Sequence, residues 1–283
     1  MTKNNLDTLR IGLFINFPRL FVLIGASGKG NPWRHPLLSL QSSTPPPRQR
    51  IIGGSTSIPH YWPFMASLQT HDGFHFCGGV LVETKWILTA AHCLDGQSAQ
   101  SFRIVMGEHD LSTNEGTEQF RNITSIHMNP FYNIQHSDFN FYLPNDAALL
   151  ELSQPVTENP NVRVALLPTK CDDFTGQDCF VIGWGKTRDT EHSNLLQQTT
   201  MTVIATNLCS ATWGSYVYYD SLCVISYGST PCSGDSGGPL ICLDRSQYVI
   251  AGVSSWGDVD CGYHPSIYTK VSEVLSWIHD IAK

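Results

Sequence analysis

The chain has 283 residues, a formal net charge of −7, 41% hydrophobic residues and only 14% charged ones. So low a charged fraction, against roughly 25% in typical soluble proteins, excludes a disordered chain, a coiled coil and a highly charged tail protein. No apolar run reaches the roughly 18 residues of a membrane-spanning helix. The acidic balance argues against nucleic-acid binding, so neither a membrane nor a nucleic-acid partner is expected.

The charge is split. Residues 1–50 carry seven Lys/Arg and one Asp, and residues 51–283 carry ten Lys/Arg and 23 Asp/Glu, so the body alone is −13. Residues 11–28, IGLFINFPRLFVLIGASG, are apolar but broken by Pro18 and Arg19. Lys3 and Arg10 precede them, and Ala26-Ser27-Gly28 offers small residues for cleavage. Residues 1–28 therefore read as a secretory signal segment. Residues 29–50 carry Pro32, Pro36, Pro45, Pro46 and Pro47 and end in Arg48-Gln49-Arg50. They read as an extended propeptide or linker closing on a basic cleavage site at Arg50.

From Ile51 onward, short runs rich in Val, Ile, Thr and aromatics alternate with Gly, Pro, Asn and Asp. They are 64–70, 78–91, 102–107, 147–152, 179–185, 199–204, 239–243 and 248–256. This pattern predicts an all-β fold, an antiparallel barrel or sandwich rather than βαβ units. In the last segment, Val271, Val274, Leu275, Ile278 and Ile281 recur at three and four, so 271–283 reads as an amphipathic helix. Nine cysteines stand at 77, 93, 171, 179, 209, 223, 232, 242 and 261. None forms C-x-x-C, which argues against a zinc ribbon. The spread fits an oxidising, secretory compartment. Spacing cannot choose among the pairings, and one cysteine is odd in all of them.

The strongest chemical signature is Gly234-Asp235-Ser236-Gly237-Gly238-Pro239. A serine hydroxyl is a poor nucleophile and needs a base for its proton and donors for the oxyanion. Flanking glycines let backbone N–H groups approach the reacting carbonyl. The string also fits the G-x-S-x-G elbow of α/β-hydrolases, but that elbow opens a helix, and here Pro239 and the strand-like LICL follow. In that fold the acid and His also follow the serine, and only 47 residues remain after Ser236. The base is therefore expected upstream. Thr89-Ala90-Ala91-His92-Cys93 and Asn145-Asp146-Ala147-Ala148-Leu149-Leu150 supply a His and an Asp in the order His, Asp, Ser.

Together with Ile51-Ile52-Gly53-Gly54, GWG (183–185), CSGDSGGP (232–239) and SSWG (254–257), these segments resemble the chymotrypsin-family serine proteases, on the elastase and chymotrypsin side. The resemblance covers about 51–283. It implies two antiparallel six-stranded Greek-key β-barrels with a C-terminal α-helix, at about 51–160 and 161–283. It implies His92 as general base, Asp146 as its orienting acid and Ser236 as nucleophile, with Gly234 and Ser236 N–H groups as the oxyanion hole. Ser255, Trp256 and Gly257 would pair with an extended substrate. Cutting after Arg50 by a trypsin-like protease would free the Ile51 ammonium to pair with Asp235, so the chain would be a zymogen.

Thr230, Gly257 and Ser266 would line the specificity pocket. A neutral Thr230 would leave a ligand cation unpaired, so cleavage after Leu, Phe, Tyr or Met, and more weakly Ala, is expected. Pro231 and Ile225 also depart from the commoner residues. The resemblance also implies the bridges Cys77–Cys93, Cys179–Cys242, Cys209–Cys223 and Cys232–Cys261, leaving Cys171 over. Glu108, Glu115 and Glu118, with carbonyls of Asp110 and Thr113, resemble a structural calcium loop, whose hard oxygens suit that ion. Catalysis would need no cofactor. Asn122-Ile123-Thr124 is the single glycosylation sequon. A secreted, monomeric endopeptidase is expected, acting on proteins and peptides and met by protein inhibitors, with digestion favoured over a regulatory cascade. A non-catalytic relative or a lipase are the alternatives; the first ordinarily lacks a triad residue, and the second conflicts with the residue order.

Overall fold

The computed structural model describes residues 54–136, 141–169, 172–187, 190, 192–226, 234–258 and 264–283. Residues 1–28, the linker to Arg50, Ile51, Thr230, Pro231, Cys171, Cys232 and Cys261 lie outside the described residues.

The chain runs through β1 (Ser55–Thr56), β2 (Met65–Thr70), β3 (His75–Glu83), β4 (Trp86–Thr89), β5 (Phe102–Met106) and β6 (Gln119–Met128). A small hairpin of β7 (Gln135–His136) and β8 (Phe141–Tyr142) precedes β9 (Ala148–Leu152). Then come β10 (Asp178–Gly183), β11 (Gln197–Ile204), α1 (Thr206–Trp213) and β12 (Ser221–Ile225). β13 (Pro239–Asp244), β14 (Gln247–Trp256), β15 (Ser266–Lys270) and α2 (Val271–Ile281) complete it.

Two barrels form, as expected. The first closes in the order β2-β3-β4-β9-β6-β5, and every pairing is antiparallel. The second runs β11-β10-β13-β14-β15-β12 and closes where β12 returns to β11, pairing Val203 with Val224. Closure leaves no open edge inside either barrel. β1 pairs with β11, so the start of the described chain is sewn to the second barrel. The helix at the other end places Val271, Val274 and Ile278 in the same apolar cluster as the first barrel's Leu81, Ile87, Ile104 and Leu149.

Local sequence explains most elements. On β11, QQTTMTVI buries Gln197, Thr199, Met201 and Val203 and turns the alternate residues outward, the period-two signature of a half-buried strand. The apolar run 78–91 proves to be two strands, because Thr84 and Lys85 make the turn at which Glu83 pairs with Trp86. β6 has no apolar run, since its alternating polar residues face solvent on a barrel wall. α1 lacks helical periodicity; its single buried residue is Cys209, held by the bridge to Cys223. Three expected disulfides are present, Cys77–Cys93, Cys179–Cys242 and Cys209–Cys223.

Leu149 is fully buried on β9. Replacing it by Ala removes apolar contacts and leaves a cavity, costing about 2–5 kcal/mol. Urea unfolding should show a lower midpoint with an unchanged slope; a midpoint shift equivalent to less than about 1 kcal/mol would contradict this packing.

Candidate active site

Strand register brings His92 and Asp146 together. β4 pairs antiparallel with β9, Thr89 opposite Ala148. The chain leaving β4 and the chain entering β9 therefore occupy the same end of the first barrel. His92 opens a single 3-10 turn, His92–Leu94, just past β4. The Cys77–Cys93 bridge ties that turn back to β3. Asp146 follows Asn145, which holds a left-handed φ of 55°.

The Asp146 carboxylate is completely buried. Its Oδ1 accepts the His92 backbone N–H at 2.8 Å, and its Oδ2 meets His92 Nδ1 at 2.6 Å. The carboxylate is acceptor-only, so His92 Nδ1 carries the proton and Nε2 is left as the basic nitrogen. Burial disfavours the imidazolium, but the charge of Asp146 and its hydrogen bond outweigh that, and the His92 pKa lies above its ordinary 6.5.

Other donors complete the acid's shell. Ser255 Oγ donates to Asp146 Oδ2 at 2.5 Å, and Thr269 Oγ1 donates to the Asp146 carbonyl at 2.8 Å. The register between β14 and β15 slips between Ser254 and Trp256, leaving Ser255 as a bulge residue. Bulges beside functional sites re-aim side chains, and here Ser255 turns its hydroxyl to the acid. Asn145 is anchored in turn: its N–H donates to Asp220 Oδ2 at 2.5 Å, and Tyr219 donates its hydroxyl to Asn145 Oδ1 at 2.9 Å. Sequence reasoning missed Thr269, Asp220 and Tyr219, and gave Ser255 only a substrate-pairing role. Their partners are 74 or more residues away in sequence, so no local pattern marks them.

Ser236 lies on the turn that links the barrels. Its carbonyl accepts the Gly78 N–H of β3 at 2.8 Å, while Gly237 N–H donates to Ser254 of β14 at 2.9 Å. Gly237 has φ of 76°, and a Cβ there would stand 2.3 Å from Thr89 Oγ1 and 2.5 Å from the Gly78 carbonyl. Only glycine fits. The turn therefore rests against Thr89 and Ala90, two residues before His92. Gly234 has φ of 95°, and its carbonyl meets His75 Nε2 at 3.2 Å. Burial pushes His75 down to about 4, so it is a neutral ring at ordinary pH. Asp235 is buried, and its Oδ1 accepts the Gly185 N–H at 3.0 Å.

Of the residues expected to line the pocket, Gly257 follows β14, and Ser266 lies beside it on β15. A Cβ on Gly257 would meet Ser266 at 3.4–3.6 Å. Ser266 is buried. Trp256 packs edge-on to Trp213 at 5.2 Å between ring centroids.

The acidic loop converges as expected: carboxylate oxygens of Glu108, Glu115 and Glu118 all lie within 4.8 Å of one another. Glu108 is pushed up to about 7, by burial first and then by the Glu118 charge. So crowded a set of hard oxygens fits a divalent cation. The expected carbonyl ligand Asp110 already accepts the Thr113 N–H at 3.0 Å. Asn122 is exposed on β6.

Residues 51–278 match the protein-family model described as Trypsin. The chain is 36% identical over 248 residues to chymotrypsin-like elastase family member 1 of Rattus norvegicus, covering 84% of this chain and 91% of that protein. To the Homo sapiens protein of the same name it is 37% identical over 248 residues, covering 84% and 94%. To that of Bos taurus it is 36% identical over 247 residues, covering 83% and 91%. With a match over most of the chain, two closed barrels and a buried Asp146 paired with His92, the protein belongs to the trypsin family of serine endopeptidases.

Proposed function

We propose that Ser236, His92 and Asp146 cleave peptide bonds after medium to large apolar residues, in a secreted enzyme made as a zymogen. The observation that carries the chemistry is the buried Asp146 carboxylate fixed on His92 Nδ1. With that nitrogen protonated, Nε2 takes the proton of Ser236 Oγ as the oxygen attacks the substrate carbonyl carbon. The oxyanion accepts the N–H groups of Gly234 and Ser236. His92 then gives its proton to the leaving amine nitrogen, and an acyl-Ser236 ester remains. Water attacks the ester, its proton passes to Nε2, and collapse returns that proton to Ser236 Oγ as the acid departs. No cofactor enters these steps.

Ser255, Trp256 and Gly257 offer backbone to an extended substrate, with β14 as template. The open wall at Gly257, where a bulky residue would shorten the pocket, and the neutral Thr230 support Leu, Phe, Tyr and Met, with Ala weaker. A misfit of one methylene shifts preference by only about 1–3 kcal/mol, so the ranking among these is graded.

Activation by a trypsin-like protease cutting at Arg50 frees Ile51. The buried Asp235, next to both oxyanion donors, is a fitting anchor for that ammonium. Glu108, Glu115 and Glu118 hold a structural calcium ion. The bridges and the apolar head 1–28 support secretion, and exposed Asn122 suits glycosylation. Proteins and peptides are the substrates of this family, and protein inhibitors its ligands. The enzyme acts as a monomer, and the acidic body favours digestion.

The direct test cuts the chain at Arg50 and compares succinyl-peptide anilides ending in Phe, Leu, Ala and Arg. Turnover of Phe and Leu substrates is expected, lost in Ser236→Ala and largely lost in Ile51→Gly. Dominant Arg turnover would overturn the pocket reading; full activity of Ile51→Gly would overturn the activation reading.

The raised His92 pKa gives two effects of opposite sign. kcat/KM should fall as pH drops through a value above 6.5, because the base must be neutral. Stability from the His92–Asp146 pair is fully present below pH 6.5 and fades as pH rises through the folded-state value. A pH–rate profile with its acid limb below 6 would contradict the assignment. Calcium should raise the melting temperature of the native chain, and Glu118→Gln should shrink that shift; an equal shift in both proteins would rule this loop out as the site.

A further inference from the structure

A line of buried polar side chains joins the acidic loop to the loop that holds Gly234, and the catalytic steps above do not use it. Ser67 and Gln69 project from one face of β2, and Gln69 sits opposite His75 of β3 in the strand register. Gln69 Nε2 donates to Ser67 Oγ at 3.1 Å and to Glu108 Oε2 at 3.4 Å. Ser67 Oγ meets His75 Nδ1 at 2.8 Å, and His75 Nε2 meets the Gly234 carbonyl at 3.2 Å. All four side chains are buried.

The direction of every proton from Gly234 back to Gln69 is fixed at the Gly234 end. The Gly234 carbonyl only accepts, so His75 Nε2 carries the hydrogen and Nδ1 is an acceptor. Ser67 must then donate its one hydrogen to Nδ1, so its oxygen can only accept from Gln69. The second amide hydrogen of Gln69 goes to Glu108, and Arg103 donating to Gln69 Oε1 at 3.4 Å fixes the amide in that orientation. Reversing any one member leaves a buried donor facing a donor or a buried acceptor facing an acceptor, which costs more than the bond is worth. Bonds in such a chain also polarise one another.

We propose that Gln69 is a positioning residue that couples the acidic loop to the oxyanion donor Gly234, so that a divalent cation held by Glu108 and transition-state binding at Gly234 strengthen each other. A cation that fixes Glu108 fixes the acceptor of Gln69, and through Ser67 and His75 the carbonyl that holds Gly234 at its positive φ. The inference rests on the calcium and oxyanion roles assigned above.

Binding, not turnover, tests it. The protein cut at Arg50 is titrated with calcium by calorimetry, with and without a succinyl-peptide boronic acid ending in Leu, whose boronate oxygen occupies the oxyanion site. Calcium should tighten the boronate about fivefold, and the boronate should tighten calcium by the same factor, as linkage requires. In Gln69→Leu, or Gln69→Met should that variant not fold, both ligands should still bind and the factor should fall to one. The His75 ring nitrogen resonances should move with calcium in the native chain only. A factor of one in the native chain with calcium bound, or an undiminished factor in Gln69→Leu, overturns the coupling. Absence of calcium binding overturns the calcium reading alone. The line is then decided by boronate affinity in Glu108→Gln, Gln69→Leu and the double variant: independent effects overturn it, and shared effects support it.

Discussion

A single buried negative charge organises the molecule. Removing a carboxylate from water costs several kcal/mol unless its lone pairs are filled. Asp146 has no exposed surface, and its donors come from opposite sides of the structure. His92 supplies two from the end of the first barrel, Ser255 a third from the second, and Thr269 of the second barrel takes the carbonyl. Neither barrel can satisfy the acid by itself. Docking the barrels and assembling the site are therefore one event, and the same contacts that solvate the charge set the His92 tautomer.

Two histidines show how partners decide protonation. Both are removed from water, which disfavours their cations. His92 faces a carboxylate and is held above its ordinary pKa, whereas His75 faces a carbonyl and a hydroxyl and is pushed down to about 4. One ring is tuned to accept a proton near neutrality, and the other stays neutral and can serve as a fixed strut.

The barrels were legible because β-branched and aromatic runs recur between turn residues, and α2 because its apolar residues recur at three and four. β6 and α1 were not, since one is polar on its outer face and the other is held by a disulfide rather than an apolar stripe. Within the proposed site, His92, Asp146 and Ser236 stood out because each sits in a short, distinctive string. Asp220, Tyr219 and Thr269 did not, because a lone Asp, Tyr or Thr gains its meaning only from the residue it meets across the fold. Ser255 lay inside a recognised string, yet the bulge that turns its hydroxyl to Asp146 depends on strand register, which composition does not encode. The acidic loop could be read from its carboxylates, but not its line to His75, whose members lie on three separate segments.

The contact of Gly237 with Thr89 and Gly78 has a mechanical meaning. Where most packed layers meet through side chains that can change rotamer and absorb strain, here backbone lies directly on backbone and hydroxyl. There is no compressible cushion at this point. The first barrel acts as a hard stop for the turn carrying Ser236, so the position of that serine is set by the geometry of the main chain and not by the softness of a core.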